Sequence, residues 1–211
     1  MTHRATRGPL IVAVDGPAAA GKGTLARRLA ARLGLPYLDT GLLYRAVGRL
    51  VLDAGGDPAD PVAATTAAKA LRPEDLARND LRGPQADAAA AAAAALPAVR
   101  ASLLDFQRGF PATTGAVLDG RDIGTAIFPK AQVKLYVTAS LAERARRRWL
   151  ELRSKGIEAD LATVEADMRA RDLRDKPNMP QAEDAVLIDT SGMTPEEAFE
   201  RACDILRSKL T

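Results

Sequence analysis

Gly16, Gly21, Lys22 and Thr24 lie close together near the start of the chain. Their types and spacing are those of a loop that wraps around phosphate groups. Glycines allow backbone angles that are closed to other residues, so successive N–H groups can turn inward. The Lys22 ammonium can then reach the outer phosphates. The segment therefore predicts a phosphate-binding loop over residues 16–24.

The residues on either side of this loop place it between a strand and a helix. The apolar run at residues 10–14 predicts a strand, and Leu25, Leu29 and Leu33 have the spacing of a helix face. A helix that begins near Lys22 presents unpaired N–H groups and the positive end of its dipole to an anion. This context favours phosphate binding over a glycine-rich turn without a ligand.

A hydroxyl and a guanidinium follow a second predicted strand at residues 35–39. Asp39 or Thr40 can cap the helix that comes next. Arg45 lies about one turn into that helix, so a hydroxyl at its start and this guanidinium could hold one small anion together. The spacing alone favours a plain cap followed by a surface arginine.

A third group of polar residues follows a predicted strand at residues 117–119. Asp119 ends this strand, where a phosphate-loop enzyme needs an acidic residue near its metal. Arg121 and Asp122 come next in a glycine-flanked loop. Open α/β sheets bind ligands at the carboxyl ends of their strands, which favours a binding role. The alternative is a turn whose charges point to water.

The middle of the chain contains turn formers and an alanine run. Residues 53–66 predict a loop, and residues 62–78 predict short helical pieces. The alanines at 88–95 predict a helix that is thin enough for close packing, because alanine has the highest helix propensity. Pro97 then predicts the first turn of a further helix.

The last third of the chain adds strands and capped helices. Residues 132–137 and 185–189 predict strands, and Ser140 and Thr194 each begin a capping box. Five short strands that alternate with helices predict an α/β fold with a five-stranded, mainly parallel sheet flanked by helices.

Composition limits the class of protein. The chain has 211 residues, enough for one α/β domain, and its 47% hydrophobic and 27% charged residues are typical of a globular protein. Only 4% of the residues are aromatic, which argues against base stacking on a nucleic acid. A single cysteine, Cys203, excludes an internal disulfide, and we find no signal-type apolar region. We expect a cytoplasmic protein.

Arginines are numerous outside the predicted phosphate loop, for example at positions 45, 100, 121 and 171. They exceed what a nucleoside triphosphate alone requires, which indicates a second anionic ligand and transfer between the two. Phosphoryl transfer depends on alignment and charge neutralisation more than on covalent chemistry. An acceptor phosphate would need no strong general base, although Asp122 could still act as one.

Several blocks together resemble the bacterial cytidylate kinase family. They are Asp-Gly-Pro at 15–17 with Gly-Lys-Gly-Thr at 21–24, Asp-Thr-Gly at 39–41 with Tyr-Arg at 44–45, and Gly-Arg-Asp-Ile-Gly-Thr at 120–125. The resemblance implies the P-loop NTPase fold in one kinase domain over residues 1–211. Its core would lie at about 8–39, 112–139 and 180–211, its monophosphate-binding helical region at about 40–110, and its arginine-rich lid at about 140–178.

The same resemblance implies transfer of the γ-phosphate of ATP to CMP or dCMP, which gives CDP or dCDP. Mg2+ would enter as MgATP and be held through water near Thr24 and Asp119. The implied ATP-binding residues are Gly16, Pro17, Ala18, Ala19, Ala20, Gly21, Lys22, Gly23 and Thr24.

The resemblance also implies roles for individual residues in the loop and beyond it. Lys22 and Arg171 would be catalytic. The acceptor phosphate would be surrounded by Thr40, Arg45, Arg121 and Arg171. Arg100 and Asp122 would contact the cytosine, Asp175 the sugar, and the arginines at 144–148 would belong to the lid over ATP.

Two positions depart from the pattern of that family. A serine that helps to recognise cytosine falls at about Ala91, and a further substrate arginine falls at about Asn178. Loss of a hydroxyl or a guanidinium costs roughly 1–3 kcal/mol each. These departures bear on base selectivity more than on phosphoryl transfer.

Two other classes of function stay open at the level of sequence. One is another small P-loop kinase that acts on AMP, UMP or a metabolite hydroxyl. The other is a non-catalytic protein that binds nucleotides, or nucleic acid through the basic helix at 144–148. We expect ATP and CMP or dCMP as ligands, no nucleic-acid or membrane partner, and a monomer.

Overall fold

The computed structural model describes residues 8–111 and 113–210. The chain divides into two compact units. The first consists of the segments up to Leu38 and from Pro111 onward, and the second is Asp39–Phe110.

A five-stranded sheet forms the centre of the first unit. Along the chain its strands are β1 (Ile11–Asp15), β2 (Tyr37–Asp39), β3 (Ala116–Gly120), β4 (Val133–Thr138) and β5 (Val186–Asp189). Their spatial order is β2-β3-β1-β4-β5, and β1 pairs in parallel with both β3 and β4. The parallel pairing brings the carboxyl ends of these strands to one edge. The predicted α/β fold and five-stranded sheet are confirmed.

The helices are, in chain order, α1 (Lys22–Leu33), α2 (Thr40–Asp53), α3 (Pro61–Ala70), α4 (Pro84–Ala94), α5 (Pro97–Gly109), α6 (Leu141–Ser154), α7 (Leu161–Asp175) and α8 (Pro195–Leu210). In the first unit, α1 and α8 cover the sheet. Leu29 and Leu206 from these helices share a core with Val12 and Leu135 of the strands. This buried layer fixes the strand ends from which the polar loops extend.

Helices α2 to α5 form the second unit. Gly48 of α2 lies so close to α4 that an added Cβ would be 2.7 Å from the Cβ of Ala89. Both small residues are needed for this approach, so the alanine run forms a thin packing helix as predicted. The core also contains Leu43, Val47 and Leu103, each fully buried.

Three local predictions need correction. Residues 61–66 belong to α3 rather than to a loop, because Asp60 accepts hydrogen bonds from the N–H groups of Val62 and Ala63. Ser140 accepts from the Glu143 N–H, but the Glu143 carboxylate pairs with neighbouring arginines instead of completing a capping box. The loop after β3 includes a π-helical turn at Ile123–Ile127.

Within the described ranges, no single helix is both long and apolar enough to cross a membrane. Helices α4 and α5 meet the length and composition criteria only when taken together, and they are bent by 99° at the break between them.

Candidate functional site

The predicted phosphate loop connects the end of β1 to the start of α1. Gly16 has a φ of +142°, and an added Cβ there would be 1.9 Å from the carbonyl oxygen of Val137. Gly21 and Ala19 also have positive φ values, of 89° and 59°. Because the loop passes directly over the β4 backbone, only glycine fits at position 16.

Helix α1 begins at Lys22, and its N-cap residue, Gly21, has no side chain that could cap the first turn. N–H groups at a helix start are suited to binding an anion. The loop and this first turn hold all of the predicted ATP-binding residues: Gly16, Pro17, Ala18, Ala19, Ala20, Gly21, Lys22, Gly23 and Thr24.

A buried carboxylate lies beside this helix start. Asp119 of β3 is 3% exposed and accepts a hydrogen bond from the Tyr37 hydroxyl at 3.2 Å. Its Oδ2 would be 3.1 Å from a Cβ added to Gly23, next to the exposed Thr24. A side chain at Gly23 would force this carboxylate to shift by a few tenths of an ångström, which favours glycine between Lys22 and Thr24.

Arg121 joins two predicted parts of the site within the first unit. Its Nη1 donates to the Gly16 carbonyl oxygen at 3.1 Å, and its Nε donates to Asp175 Oδ2 at 2.9 Å. Arg171 lies on the same helix as Asp175, with its Nε 3.8 Å from that carboxylate. The structure therefore brings Arg121, Arg171 and Asp175 together beside the phosphate loop.

The loop after β3 is held by Asp15, at the end of β1. The Asp15 carboxylate is 5% exposed and accepts hydrogen bonds from the N–H groups of Ile123 and Gly124, both at 2.8 Å. Burial raises the pKa of Asp15 to about 6, while the two N–H groups oppose that rise. Asp122, for which the family resemblance implies a contact with cytosine, is buried and lies in the chain between Arg121 and these anchored residues.

The arginines of α6 have different environments. Arg144 is 5% exposed; its guanidinium donates to the carbonyl oxygens of Ala139 and Ala18 and to the Asp172 carboxylate. Arg147 donates to Thr190 Oγ1 at 2.9 Å and to Glu143. Arg146 is largely exposed. Helix periodicity predicts that the arginines point in different directions, but it does not reveal that Arg144 is the buried one.

A cavity of about 190 Å³ adjoins the phosphate loop. The loop side contributes Ala20, Gly21 and Thr24, and the far side is formed by Arg147 and the segment around Thr190 and Pro195. The Thr190 hydroxyl lies within hydrogen-bond distance of the Ala20 and Thr138 carbonyl oxygens. This cavity could hold the part of a nucleotide that lies beyond its phosphates.

The second unit contains the other predicted acceptor residues. Asp39 caps α2 by accepting from the Gly41 N–H at 3.0 Å, and Thr40 is buried. Arg45 donates to Asp87 Oδ1 through both Nε and Nη2, at 3.1 and 2.9 Å. This pair of bonds fixes the orientation of the guanidinium, whereas spacing alone favoured a surface arginine. Its partner, Asp87, does not belong to any motif recognised in the sequence.

Arg100 of α5 lies near an aromatic side chain of the same unit. Its guanidinium carbon is 5.9 Å from the centre of the Tyr44 ring, within the range of a cation–π contact. Tyr44 directly precedes Arg45 in α2. The contact between Arg100 and Tyr44 therefore relates the two predicted substrate arginines within this unit.

Sequence reasoning missed three residues of the site. Asp15 lay inside the recognised stretch, but its bonds reach residues 108 and 109 positions away. Asp87 and Thr190 likewise act on partners that are distant in sequence. No local spacing indicates any of these contacts.

Comparison with known proteins identifies the group to which this arrangement belongs. Residues 12–208 match the family model described as cytidylate kinase. A cytidylate kinase of Granulibacter bethesdensis is 59% identical over 204 residues, which cover 95% of this chain and 98% of that protein. A cytidylate kinase of Acidiphilium cryptum is 57% identical, covering 96% and 97% of the two chains.

Solved structures support the same fold at lower identity. An uncharacterized protein from Eubacterium ventriosum is 13% identical with a TM-score of 0.56, covering 94% of this chain and 99% of that one. TT1252 from Thermus thermophilus is 21% identical with a TM-score of 0.52, covering 97% and 100%. Because the family model and the relatives span nearly the whole sequence, the chain belongs to the cytidylate kinase family.

Proposed function

We propose that the chain transfers the γ-phosphate of ATP to CMP or dCMP, giving CDP or dCDP. The observation that carries this proposal is the full-length match to cytidylate kinases. The phosphate loop and the arginines around it supply the chemistry that such a transfer needs. Lys22 at the start of α1 and Arg171 near the loop would neutralise charge on the transferred phosphoryl group.

The donor would bind along residues 16–24. The N–H groups at the start of α1, where Gly21 offers no capping side chain, and the Lys22 ammonium would hold its phosphates. The base and ribose would extend into the 190 Å³ cavity, where Arg147 offers a planar cation to an aromatic ring. Arg144 is not available for that contact, because its guanidinium is buried against protein groups.

Mg2+ would enter with ATP. The donor set fits a hard cation that keeps part of its water shell, because Thr24 follows Gly23 in the chain and the buried Asp119 carboxylate lies close to Gly23. Among the described residues, no group of three or more His, Cys, Asp or Glu side chains could hold a metal by itself. The phosphates of ATP would supply the remaining ligands and the ion would neutralise their charge.

The acceptor residues follow from the family pattern. Thr40, Arg45, Arg121 and Arg171 would hold the acceptor phosphate; Arg100 and Asp122 would contact cytosine, and Asp175 the sugar. Support comes from the fixed orientations of two of them, since Asp87 holds Arg45 and Asp175 holds Arg121. Side chains already held in place lose less entropy when a ligand binds.

An acceptor phosphate oxygen is ionised near neutral pH, so the residues need only align it with the donor and exclude water. The reaction would therefore depend on positioning and electrostatics rather than on a general base. We further infer a cytoplasmic monomer without a nucleic-acid or membrane partner.

A panel of acceptors tests this function. Initial rates are measured with ATP and CMP, dCMP, UMP or AMP, with and without Mg2+, and kcat/KM should be highest for CMP or dCMP. A higher value for UMP or AMP would instead indicate another small P-loop kinase. Salt-sensitive binding to DNA or RNA with no transfer to any acceptor would indicate a nucleic-acid-binding protein.

The departures at Ala91 and Asn178 can be tested in the same assay. If they limit recognition of cytosine, Ala91→Ser and Asn178→Arg should each lower KM for CMP by up to about tenfold. Unchanged KM values would show that other residues have taken over these contacts.

A further inference from the structure

The Asp15 carboxylate connects the phosphate loop to the loop that carries Arg121 and Asp122. Its Oδ1 accepts from the Ile123 N–H and its Oδ2 from the Gly124 N–H, both at 2.8 Å. The two oxygens thus cap the first N–H groups of the π-helical turn at Ile123–Ile127. One carboxylate satisfies two buried backbone donors, which would otherwise lack partners at this position.

These bonds hold a short segment at both ends. On one side, Gly120 is fixed in the sheet by its parallel pairing with Asp15. On the other, Ile123 is fixed by the Asp15 side chain. Only Arg121 and Asp122 lie between the two fixed points, so Asp15 restricts the positions that both side chains can adopt.

The restriction has a direct consequence for Arg121. Its guanidinium extends from this segment to the carbonyl oxygen of Gly16, the residue that follows Asp15, and to Asp175. A segment that moved by 1 Å would no longer reach both partners within hydrogen-bond distance. Misplacement on that scale can cost a positioned group about a hundredfold in rate.

We propose that Asp15 is a positioning residue for phosphoryl transfer, which acts by holding Arg121 and Asp122 against the phosphate loop. The proposal rests on the proposed kinase function and adds a role that lies outside the substrate contacts. In this role Asp15 acts through the backbone and not through a substrate, because it is 5% exposed and each of its oxygens accepts a backbone N–H group.

The chemical state of Asp15 supports this role. Burial raises its pKa to about 6, and it is faced by Lys22 from α1, Asp122 from the loop after β3, and Tyr136 from β4. The ionised form accepts both N–H groups, whereas a protonated carboxyl would turn one O–H toward a donor. The segment should therefore be held most firmly above pH 6.

Asp15→Asn provides the main test. The amide oxygen can still accept one of the two N–H groups, but the amide NH2 group, itself a donor, then faces the other. With saturating ATP and CMP at pH 7.5, kcat should fall about tenfold to a hundredfold. Tm should stay within about 4 °C of the wild type, because the variant also removes a buried charge. The ratio of wild-type to variant kcat should shrink as pH falls from 7.5 to 5, and substrate titration cancels in that ratio.

Asp60→Asn is the matched control. Asp60 also accepts two backbone N–H groups, from Val62 and Ala63, but it is exposed at the start of α3. The control should keep wild-type kcat. A kcat for Asp15→Asn within twofold of the wild type, or a loss that does not change with pH and accompanies a large fall in Tm, would overturn the positioning role.

Hydrogen exchange separates this proposal from the proposed function. Exchange at the Ile123 and Gly124 amides, corrected for the intrinsic rate, should accelerate in Asp15→Asn, and in the wild type as pH falls below 6. Unchanged protection of both amides would overturn the proposal whatever the activity. Absence of transfer to CMP by the wild type would overturn the kinase function but leave this measurement valid.

Discussion

Arg144 and Asp172 form a two-bond ion pair between helices α6 and α7. Arg144 Nη1 lies 3.0 Å from Asp172 Oδ1, and Nη2 lies 2.6 Å from Oδ2. The Arg144 side chain is 6% exposed and that of Asp172 is 27% exposed. Because Arg171 is the neighbour of Asp172, this pair orients the part of α7 that carries a proposed catalytic residue.

Asp172→Ala should destabilise the protein by about 3 kcal/mol, because it leaves the buried Arg144 guanidinium without its counter-charge. Urea unfolding measures the change. The double variant Arg144→Met/Asp172→Leu should lose less stability than the single variants Arg144→Met and Asp172→Leu lose in sum, since it leaves no unpaired charge. Arg146→Ala is the control on the same helix: that side chain is 57% exposed, and its loss should cost less than about 1 kcal/mol. Equal losses for Asp172→Ala and Arg146→Ala would show that the buried pair contributes no special stability.

Lys22→Ala should lower kcat by about a hundredfold or more, because it removes the cation that we propose for the transferred phosphate. The unfolding free energy should change by less than about 1 kcal/mol, since Lys22 is at the first position of α1 and is not part of the core. Steady-state rates with CMP and a thermal melt test both statements. Lys209→Ala, at an exposed position of α8, is the control and should leave both quantities unchanged. Retention of the wild-type rate would exclude a catalytic role for Lys22.

Arg171→Ala should lose far more activity than stability. Arg171 is 29% exposed and lies 3.8 Å from the Asp175 carboxylate, a long contact that contributes less than about 1 kcal/mol. A positioned arginine that neutralises the transferred phosphate contributes about a thousandfold to the rate. The comparison needs kcat with CMP and a urea unfolding curve. Arg169→Ala, 67% exposed on the same helix, should retain both. Comparable losses of rate and stability in Arg171→Ala would point to a structural arginine.

The turn and helix start at residues 16–24 were predictable because their determinants are local. Gly16, Gly21 and Lys22 specify a turn and a helix start within a few residues, and the structure places α1 at Lys22 as expected. The alanine run was predictable for the same reason, since helix propensity is a property of the residue itself. Both predictions used only neighbours in sequence.

The contacts that organise the site were not predictable in this way. Asp15 holds Ile123 across 108 positions, and Arg144 binds Asp172 across 28. Their partners are set by strand order and helix packing, which sequence periodicity does not specify. For the same reason, the sequence does not predict that Arg144 is buried whereas Arg146 is exposed.

Gly16→Ala should destabilise the protein by about 3 kcal/mol or more. A Cβ at this position would lie 1.9 Å from the Val137 carbonyl oxygen, and neither backbone can move without disturbing the sheet. A thermal melt and a nucleotide-binding measurement should both show the loss. Gly109→Ala is the control: an added Cβ meets no atom within 4 Å at the end of α5, so stability should be unchanged or rise by up to about 1 kcal/mol. Wild-type stability of Gly16→Ala would mean that the loop does not pass so close to β4.

The pH dependence of stability should carry the signature of Asp15. Its pKa of about 6 in the folded protein lies above its ordinary value of 3.8, so the folded state binds the proton more tightly than the unfolded state. The stabilisation from protonation is complete below about pH 4 and disappears as pH rises through 6. Its size is about 3 kcal/mol, from a shift of roughly two units at 1.36 kcal/mol each.

Other carboxylates make stability rise with pH rather than fall. A hydrogen bond from Lys134 lowers the pKa of Asp184, and one from Arg146 lowers the pKa of Glu143. The contribution of Asp15 is therefore measured as a difference between wild type and Asp15→Asn. Unfolding free energies from urea curves at pH 4 to 7.5 should show the wild type losing stability relative to the variant as pH rises. A constant difference across this range would mean that Asp15 keeps an ordinary pKa. A difference that grows with pH, as expected, would show that the ionised Asp15 carboxylate costs stability at neutral pH. Its function would then lie in what the ionised form holds in place, the segment with Arg121 and Asp122.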